Sequence, residues 1–383
     1  MQKFDFQQRT RFVFGAGSLQ RLGELARECG GTKVLVISDA GVVAAGHFQQ
    51  AVNSLLSAKM EVASFHDFRE NPSTEQVDAG VVAAKKFVPD LLVGLGGGSS
   101  MDCAKGINFL FSCGGKMQDY WGVGKAHRPM LPLIAIPTTA GTGSEAQSFA
   151  LISDAVTHVK MACGDPKAAC KVALLDPELT VTQPERVTAL TGIDAISHAL
   201  ETYVTKRRNT MSVCFSREAW RHLAKSFSCV LQKPLDLEAR SGMQLGAALA
   251  GMAIEASMLG AAHAAANPLT AQFGVTHGQA VGVMLPHIIR FNGQQCDSWY
   301  AELLRDIQPE LGPLQPGEAS LRLADVVTSW VKQAGLHTTM EPLGIASANI
   351  ADLAMDAMKQ WTGTFNPISV TQSDFEKFYE YAL

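Results

Sequence analysis

The sequence lacks any pair of cysteines at metal-ligand or redox spacing. Its eight cysteines (29, 103, 113, 163, 170, 214, 229, 296) are scattered, with no CxxC. They read as free thiols in a reducing cytoplasm rather than a disulfide framework or a cysteine zinc site. There is no excess of positive charge: the formal net charge of -4 argues against nucleic acid or a membrane surface as the main partner. The N-terminal stretch MQKFDFQQRTRFVFG has no apolar core of signal-peptide length, so a cytoplasmic protein is expected. No GxxxxGK[ST] occurs, which argues against ATP or GTP hydrolysis on a P-loop. Finally, residues 256–289 contain no Asp, Glu, Lys or Arg. This run includes His263, Asn267, Pro268, Gln272, His277 and several glycines, too polar and too broken to cross lipid. Deep burial is expected instead, which draws attention to its histidines.

At 383 residues the chain has room for two domains with cores of their own. In the first half, strand-like and helix-like segments alternate. KVLVIS, EVASF, DLLVGL and LPLIAIP read as strands; residues 41–59 and 73–87 read as helices, the latter capped by Ser73. Another helix is expected from about Ser99. Such alternation implies a parallel sheet with helices on both faces. Beyond about Asp176 helical periodicity dominates. The expectation is an α/β nucleotide-type domain over residues 1–180, then an all-α domain over 181–383. No repeat, low-complexity segment or Pro/Gly/Ser-rich linker separates them.

LLVGLGGGSSMDCAKG places three glycines where a strand ends and a helix begins. Such a turn lets backbone N–H groups approach a phosphate at a helix N-terminus, although it also serves as a plain connection. It is not the usual dinucleotide fingerprint, because Ser99 takes the last glycine position and the acid, Asp39, precedes the glycines. Asp39 ends the strand VLVISD, where it suits a ribose diol or a helix cap. A second small-residue turn, PTTAGTGSEAQ, follows the fourth strand. Two such turns at one end of a sheet fit a dinucleotide.

TGIDAISHAL sets Asp194 and His198 four residues apart, hence on one face of a helix. Ile193, Ile196, Leu200 and Tyr203 form the packing stripe, with Asp194, His198 and Glu201 beside it. A D-x3-H pair is either a solvated ion pair or half of a metal site. His263 and His277, in the charge-free run, shift the balance, because an unpaired imidazole is costly to bury. One carboxylate and three imidazoles suit Fe2+ or Zn2+. His287, after Pro286, is a spare candidate that reads better as a loop or core residue.

These stretches, with FGAGSLQRL, NPSTEQV, ALLDPELTVTQP and HGQAVGVMLPH, resemble the iron-dependent (group III) alcohol dehydrogenases over nearly the whole length. The resemblance implies a dehydroquinate synthase-like plan: a dinucleotide-binding α/β domain, an all-helical domain and a metal in the cleft between them. It implies hydride transfer between a small alcohol and NAD, with the alcohol or carbonyl oxygen on Fe2+ or Zn2+, in a homodimer. By position, Asp194, His198, His263 and His277 match the metal ligands. Gly97, Gly98 and Ser99 match the pyrophosphate turn, and Asp39 the ribose contact that favours NAD over NADP. Asn71, Asp102, Thr138, Thr139, Thr142, Lys160 and Leu179 fall at further cofactor positions.

One position departs. HAAANPLT carries Asn267 where members of that family commonly have a second histidine, the candidate for proton transfer. An amide can orient water or a hydroxyl but cannot shuttle a proton near neutral pH. Two relatives in plan are rivals. A dehydroquinate synthase-like lyase would need a basic cluster near the metal, and Gln279 stands where that family tends to carry an acid. A maleylacetate reductase-type enzyme needs no metal, yet here all four ligand positions are filled.

Overall fold

The computed structural model describes residues 3–383, which divide into two compact units: Gln7–Gln183, and Pro184–Leu383 with the N-terminal residues through Phe6.

The first unit is built on a six-stranded sheet of β1 (Arg11–Phe14), β2 (Lys33–Ser38), β3 (Glu61–Phe65), β4 (Leu91–Gly96), β6 (Leu133–Pro137) and β9 (Val172–Leu175). All pairings are parallel, in the order β1-β9-β6-β4-β2-β3. The inner strands β2, β4, β6 and β9 are apolar almost throughout because both faces are covered, while the edge strands β1 and β3 are largely exposed or half-buried. Val34 and Val36 of β2 join one buried cluster with Leu22, Leu25 and Leu55; Leu35 and Ile37 join the other with Val77, Ala104 and Ile107. The covering helices are α1 (Leu22–Glu28), α2 (Ala40–Ala44), α3 (His47–Ser57), α4 (Thr74–Phe87) and α5 (Gly98–Cys113). Ser73 caps α4 as expected, accepting from Gln76 N–H in a capping box. Register sets Ser38 beside Leu95 and Gly96 beside Pro137, so β2, β4 and β6 end together. A small second sheet, β5 (Gly122–Val123), β7 (Phe149–Ser153) and β8 (Lys160–Gly164), runs in the order β5-β8-β7.

The second unit is helical: α6 (Glu185–Val204), α7 (Thr210–Gln232), α8 (Leu237–Ala256), α9 (Ala261–Phe273), α10 (His277–Ile307), α11 (Glu318–Gln333), α12 (Ile350–Met358) and α13 (Gln372–Ala382). From Gly192 to Val204 every residue of α6 is buried, and the helix packs against α7, α8 and α10. A helix enclosed on all sides belongs at the centre of its unit. Among the described residues, no single helix is long and apolar enough to cross a membrane.

Two local expectations are corrected. The helix expected over 41–59 is two, broken where Gly46 takes φ 84° ahead of α3. His287, expected in a loop or the core, is not in a loop: Pro286 lies inside α10 without ending it, and His287 is a half-buried residue of that helix.

Candidate metal centre and cofactor turns

Three helices bring the candidate ligands together. Asp194 and His198 sit one turn apart on α6, His263 is in the first turn of α9, and His277 is the first residue of α10. Gly278 permits that approach: a Cβ there would lie 2.2 Å from the Leu190 carbonyl oxygen of α6. Asp194 Oδ1 lies 3.3 Å from His198 Nε2, 3.5 Å from His263 Nε2 and 3.6 Å from His277 Nε2. His198 Nε2 and His263 Nε2 are 3.1 Å apart. Four ligands arranged tetrahedrally at about 2.1 Å from a cation would stand about 3.4 Å from each other. Asp194, His263 and His277 therefore stand at a spacing that suits a divalent ion, with His198 Nε2 close to the first two.

The electrostatics point the same way. Asp194, His198 and His263 are buried, and Asp194 Oδ1 accepts no hydrogen bond despite the three imidazoles around it. A buried carboxylate oxygen in that state is costly unless a cation compensates it. Burial opposes ionisation of Asp194, but the imidazoles of His198, His263 and His277 hold its carboxyl well below the ordinary range. Burial likewise opposes a charge on His263, yet Glu201 and Asp194 together raise it to about 9. The cavity is one that demands positive charge. Asp194, His263 and His277 form a group able to hold a metal ion, and His198 Nε2 lies beside it, 3.3 Å from Asp194 Oδ1.

In the α/β unit the expected cofactor residues gather where β2, β4 and β6 end. Gly97 is the N-cap of α5, and Gly98 has no room for a side chain, since a Cβ would meet Thr142 Cγ2 at 2.7 Å. The two turns thus pack directly on each other. Thr138 N–H donates to the Gly96 carbonyl (3.0 Å), and Ser144 Oγ donates to Asp102 Oδ1 (3.1 Å). A Cβ on Gly97 would stand 3.4 Å from Thr139 Cγ2. Asn71 N–H donates to Ser99 Oγ (3.1 Å), and Lys160 Nζ donates to Asn71 Oδ1 (2.8 Å). Asp39 combines the two roles its position suggested: Oδ1 caps α2 through Gly41 and Val42 N–H, while Oδ2 accepts from Ser100 Oγ beside the glycine turn. Leu179 stands apart, buried in the apolar core with Val172 and Leu174.

The iron-containing alcohol dehydrogenase model matches residues 9–177, and the C-terminal model of the Fe-containing alcohol dehydrogenase family matches residues 188–383. The chain belongs to the iron-containing alcohol dehydrogenase family. It is 31% identical to the NAD-dependent methanol dehydrogenase of Bacillus methanolicus, over 97% of each chain. It is 33% identical to alcohol dehydrogenase 4 of Schizosaccharomyces pombe, over 97% of this chain and 87% of that one. The solved structure of a 1,3-propanediol oxidoreductase superposes with a TM-score of 0.96 at 28% identity, covering both chains completely. The protein is accordingly an NAD-dependent oxidoreductase of the alcohol dehydrogenase family.

Around the metal centre of this alcohol dehydrogenase, three further residues have definite places. Asn267 lies one turn beyond His263 on α9, and its Nδ2 donates to Gln360 Oε1 at 2.9 Å. Gln279 is structural: it exchanges two hydrogen bonds with the backbone of His337, pinning the start of α10. His287 lies outside the group able to hold a metal ion; it stacks on Tyr381, and burial lowers it to about 4. The residue whose importance sequence reasoning missed is Glu201, which faces His263 Nδ1 at 2.5 Å. Its only sequence signal was membership of the polar stripe with Asp194 and His198.

Proposed function

We propose that the enzyme interconverts a small uncharged alcohol and its aldehyde or ketone, with NAD as hydride carrier and Fe2+ or Zn2+ held by Asp194, His198, His263 and His277. The observation that carries this reading is the set of three imidazole nitrogens 3.3–3.6 Å from one buried, unbonded carboxylate oxygen. A divalent cation bound there supplies Lewis acidity, easing loss of a hydroxyl proton and, in reverse, polarising a carbonyl. A single carboxylate among three neutral imidazoles retains the ion while leaving it net positive charge to act on substrate.

Gly97, Gly98 and Ser99 offer backbone N–H groups and the positive end of α5 to a pyrophosphate. Asp39 presents a carboxylate to the adenosine ribose and repels a 2′-phosphate. Asn71, Asp102, Thr138, Thr139, Thr142 and Lys160 supply further contacts to the cofactor. The small apolar residues of AALAGMAIEASMLGAAHAAA, together with relatives named for methanol and 1,3-propanediol, support a small uncharged substrate. The reading includes a homodimer working in the cytoplasm.

Protein purified anaerobically is expected to carry stoichiometric divalent metal and to generate NADH from members of an alcohol panel. Chelation should abolish turnover, and adding the metal back should restore it. Metal-loaded protein that binds NAD but turns over no alcohol or aldehyde would sink the reading.

Asn267 has no proton to exchange, and Gln360 engages its amide nitrogen, leaving Oδ1 to accept from water or a hydroxyl. With NAD bound, the cofactor ribose would supply hydroxyls that, with water held at Asn267 Oδ1, could take the proton that this side chain cannot. Asn267→His should add a limb to the pH–rate profile near the ordinary imidazole pKa of about 6.5. An unaltered rate and profile would show that this position does not govern proton release.

A further inference from the structure

We infer that Glu201 is a positioning residue of the metal centre, fixing the ring of His263 so that Nε2 presents its lone pair to the ion. The inference rests on the metal-dependent reading above. Glu201 lies on α6 seven residues after Asp194, two turns along the same face, and is 4% exposed. One carboxylate oxygen, Oε2, faces His263 Nδ1 at 2.5 Å. Nδ1 therefore carries the proton, which leaves Nε2 as the free donor among Asp194, His198 and His277. The other oxygen, Oε1, accepts Ala262 N–H at 2.7 Å.

That second bond ties ligand orientation to the helix that carries it. The N-cap of α9 is Gly260, which offers no side chain to the first N–H groups of the helix. Glu201 takes the N–H of Ala262, and Asn366 Oδ1 takes that of Ala261 at 3.3 Å. Asn366 is itself held by two hydrogen bonds exchanged with Asn292 of α10. Gly260 also leaves the space in which Glu201 sits: a Cβ there would be 2.9 Å from Glu201 Oε1 and 3.1 Å from Asn366 Oδ1. One buried carboxylate thus caps α9 from outside and sets the tautomer of the imidazole in its first turn.

A plain helix cap and a positioning residue predict different results for Glu201→Gln. The amide keeps the shape and one acceptor oxygen, so the metal-free protein retains its fold, but the charge-assisted bond to His263 is lost. We expect the Zn2+ dissociation constant, measured by chelator competition, to weaken about 10–100-fold. The visible spectrum of the Co2+-loaded protein should shift as well, while the metal-free melting temperature moves little. Gly260→Ala, which crowds Oε1 without removing any charge, should weaken Zn2+ binding in the same direction. It also serves as the test should the Gln variant fail to fold. Wild-type affinity and Co2+ spectrum in both variants, with only a lower metal-free melting temperature, would reduce Glu201 to a cap and overturn the inference. Failure of the wild-type protein itself to bind Zn2+ or Co2+ would overturn the metal-dependent reading, and this inference with it.

Discussion

Asp194→Asn is expected to remove both the metal and the activity while leaving NAD binding in place. Asp194 supplies the one anionic donor among the four candidate ligands, and its Oδ1 is the atom on which the three imidazoles converge. The amide has nearly the same shape, so the helices around it need not repack. It presents no charge to a cation, however, and its N–H groups would confront imidazole nitrogens aimed at the same point. Loss of Lewis acidity removes several kcal/mol of transition-state stabilisation; about 4 kcal/mol corresponds to roughly a 10³-fold fall in kcat/KM. Metal content by elemental analysis and NADH formation should therefore fall together. NAD affinity should hold, because the cofactor turns belong to the α/β unit. A variant that retains stoichiometric metal and near-parental turnover would remove Asp194 from the centre.

The candidate metal ligands stood out in the sequence because two independent signals met. The i,i+4 pair on α6 is read from spacing, and His263 and His277 are conspicuous in a run that carries no Asp, Glu, Lys or Arg. Glu201 was not legible in that way. Its meaning depends on where Ala262 and His263 arrive, about 60 residues later in the chain, and no local pattern carries that information. The fold shows the same division. Strands β2, β3, β4 and β6 announce themselves as apolar runs between turn residues. Strands β1 and β9 have only four residues each and read equally well as fragments of anything apolar. What secures them is their mutual pairing across about 160 residues of chain, again a non-local fact. Pro286 errs in the opposite sense. A proline disfavours a helix locally, yet packing of α10 against α6, α9 and α11 holds the helix through it. The glycine turns were legible as turns, but their direct contact, with Gly98 against Thr142, followed only from the alignment of the strand ends.

Lys105 is where the second large effect is expected. Its side chain is completely buried on α5, and Nζ donates to the carbonyl oxygens of Ser144 (2.6 Å), Gln147 (2.8 Å) and Phe149 (2.9 Å) and to Ser144 Oγ (3.0 Å). Ser144 Oγ passes its own proton to Asp102, so ammonium, hydroxyl and carboxylate form one chain. Two carboxyls depend on this cation. Burial raises Asp102, with the Lys105 charge opposing the rise, and it lifts the buried Glu145 to about 7 against the same charge. Lys105→Met would fill most of the volume but leave these carbonyls without this donor, Glu145 without its cation, and Asp102 with only Lys160 and its hydrogen bonds to offset burial. Breaking a buried ionic network by removing one partner costs about 3–5 kcal/mol. In a unit of this size that corresponds to a fall in melting temperature of roughly 10 °C. The turn that carries Thr138, Thr139 and Thr142 is braced by this ammonium through Ser144 and Gln147, and Gln147 in turn donates to the Thr142 carbonyl at 2.8 Å. The KM for NAD should therefore rise more than kcat falls. Calorimetry and steady-state kinetics on the same preparation would test both parts. A Met variant that melts with the parent would show that the network contributes no net stability, and one that melts early but keeps the parental KM for NAD would separate the brace from the cofactor turn.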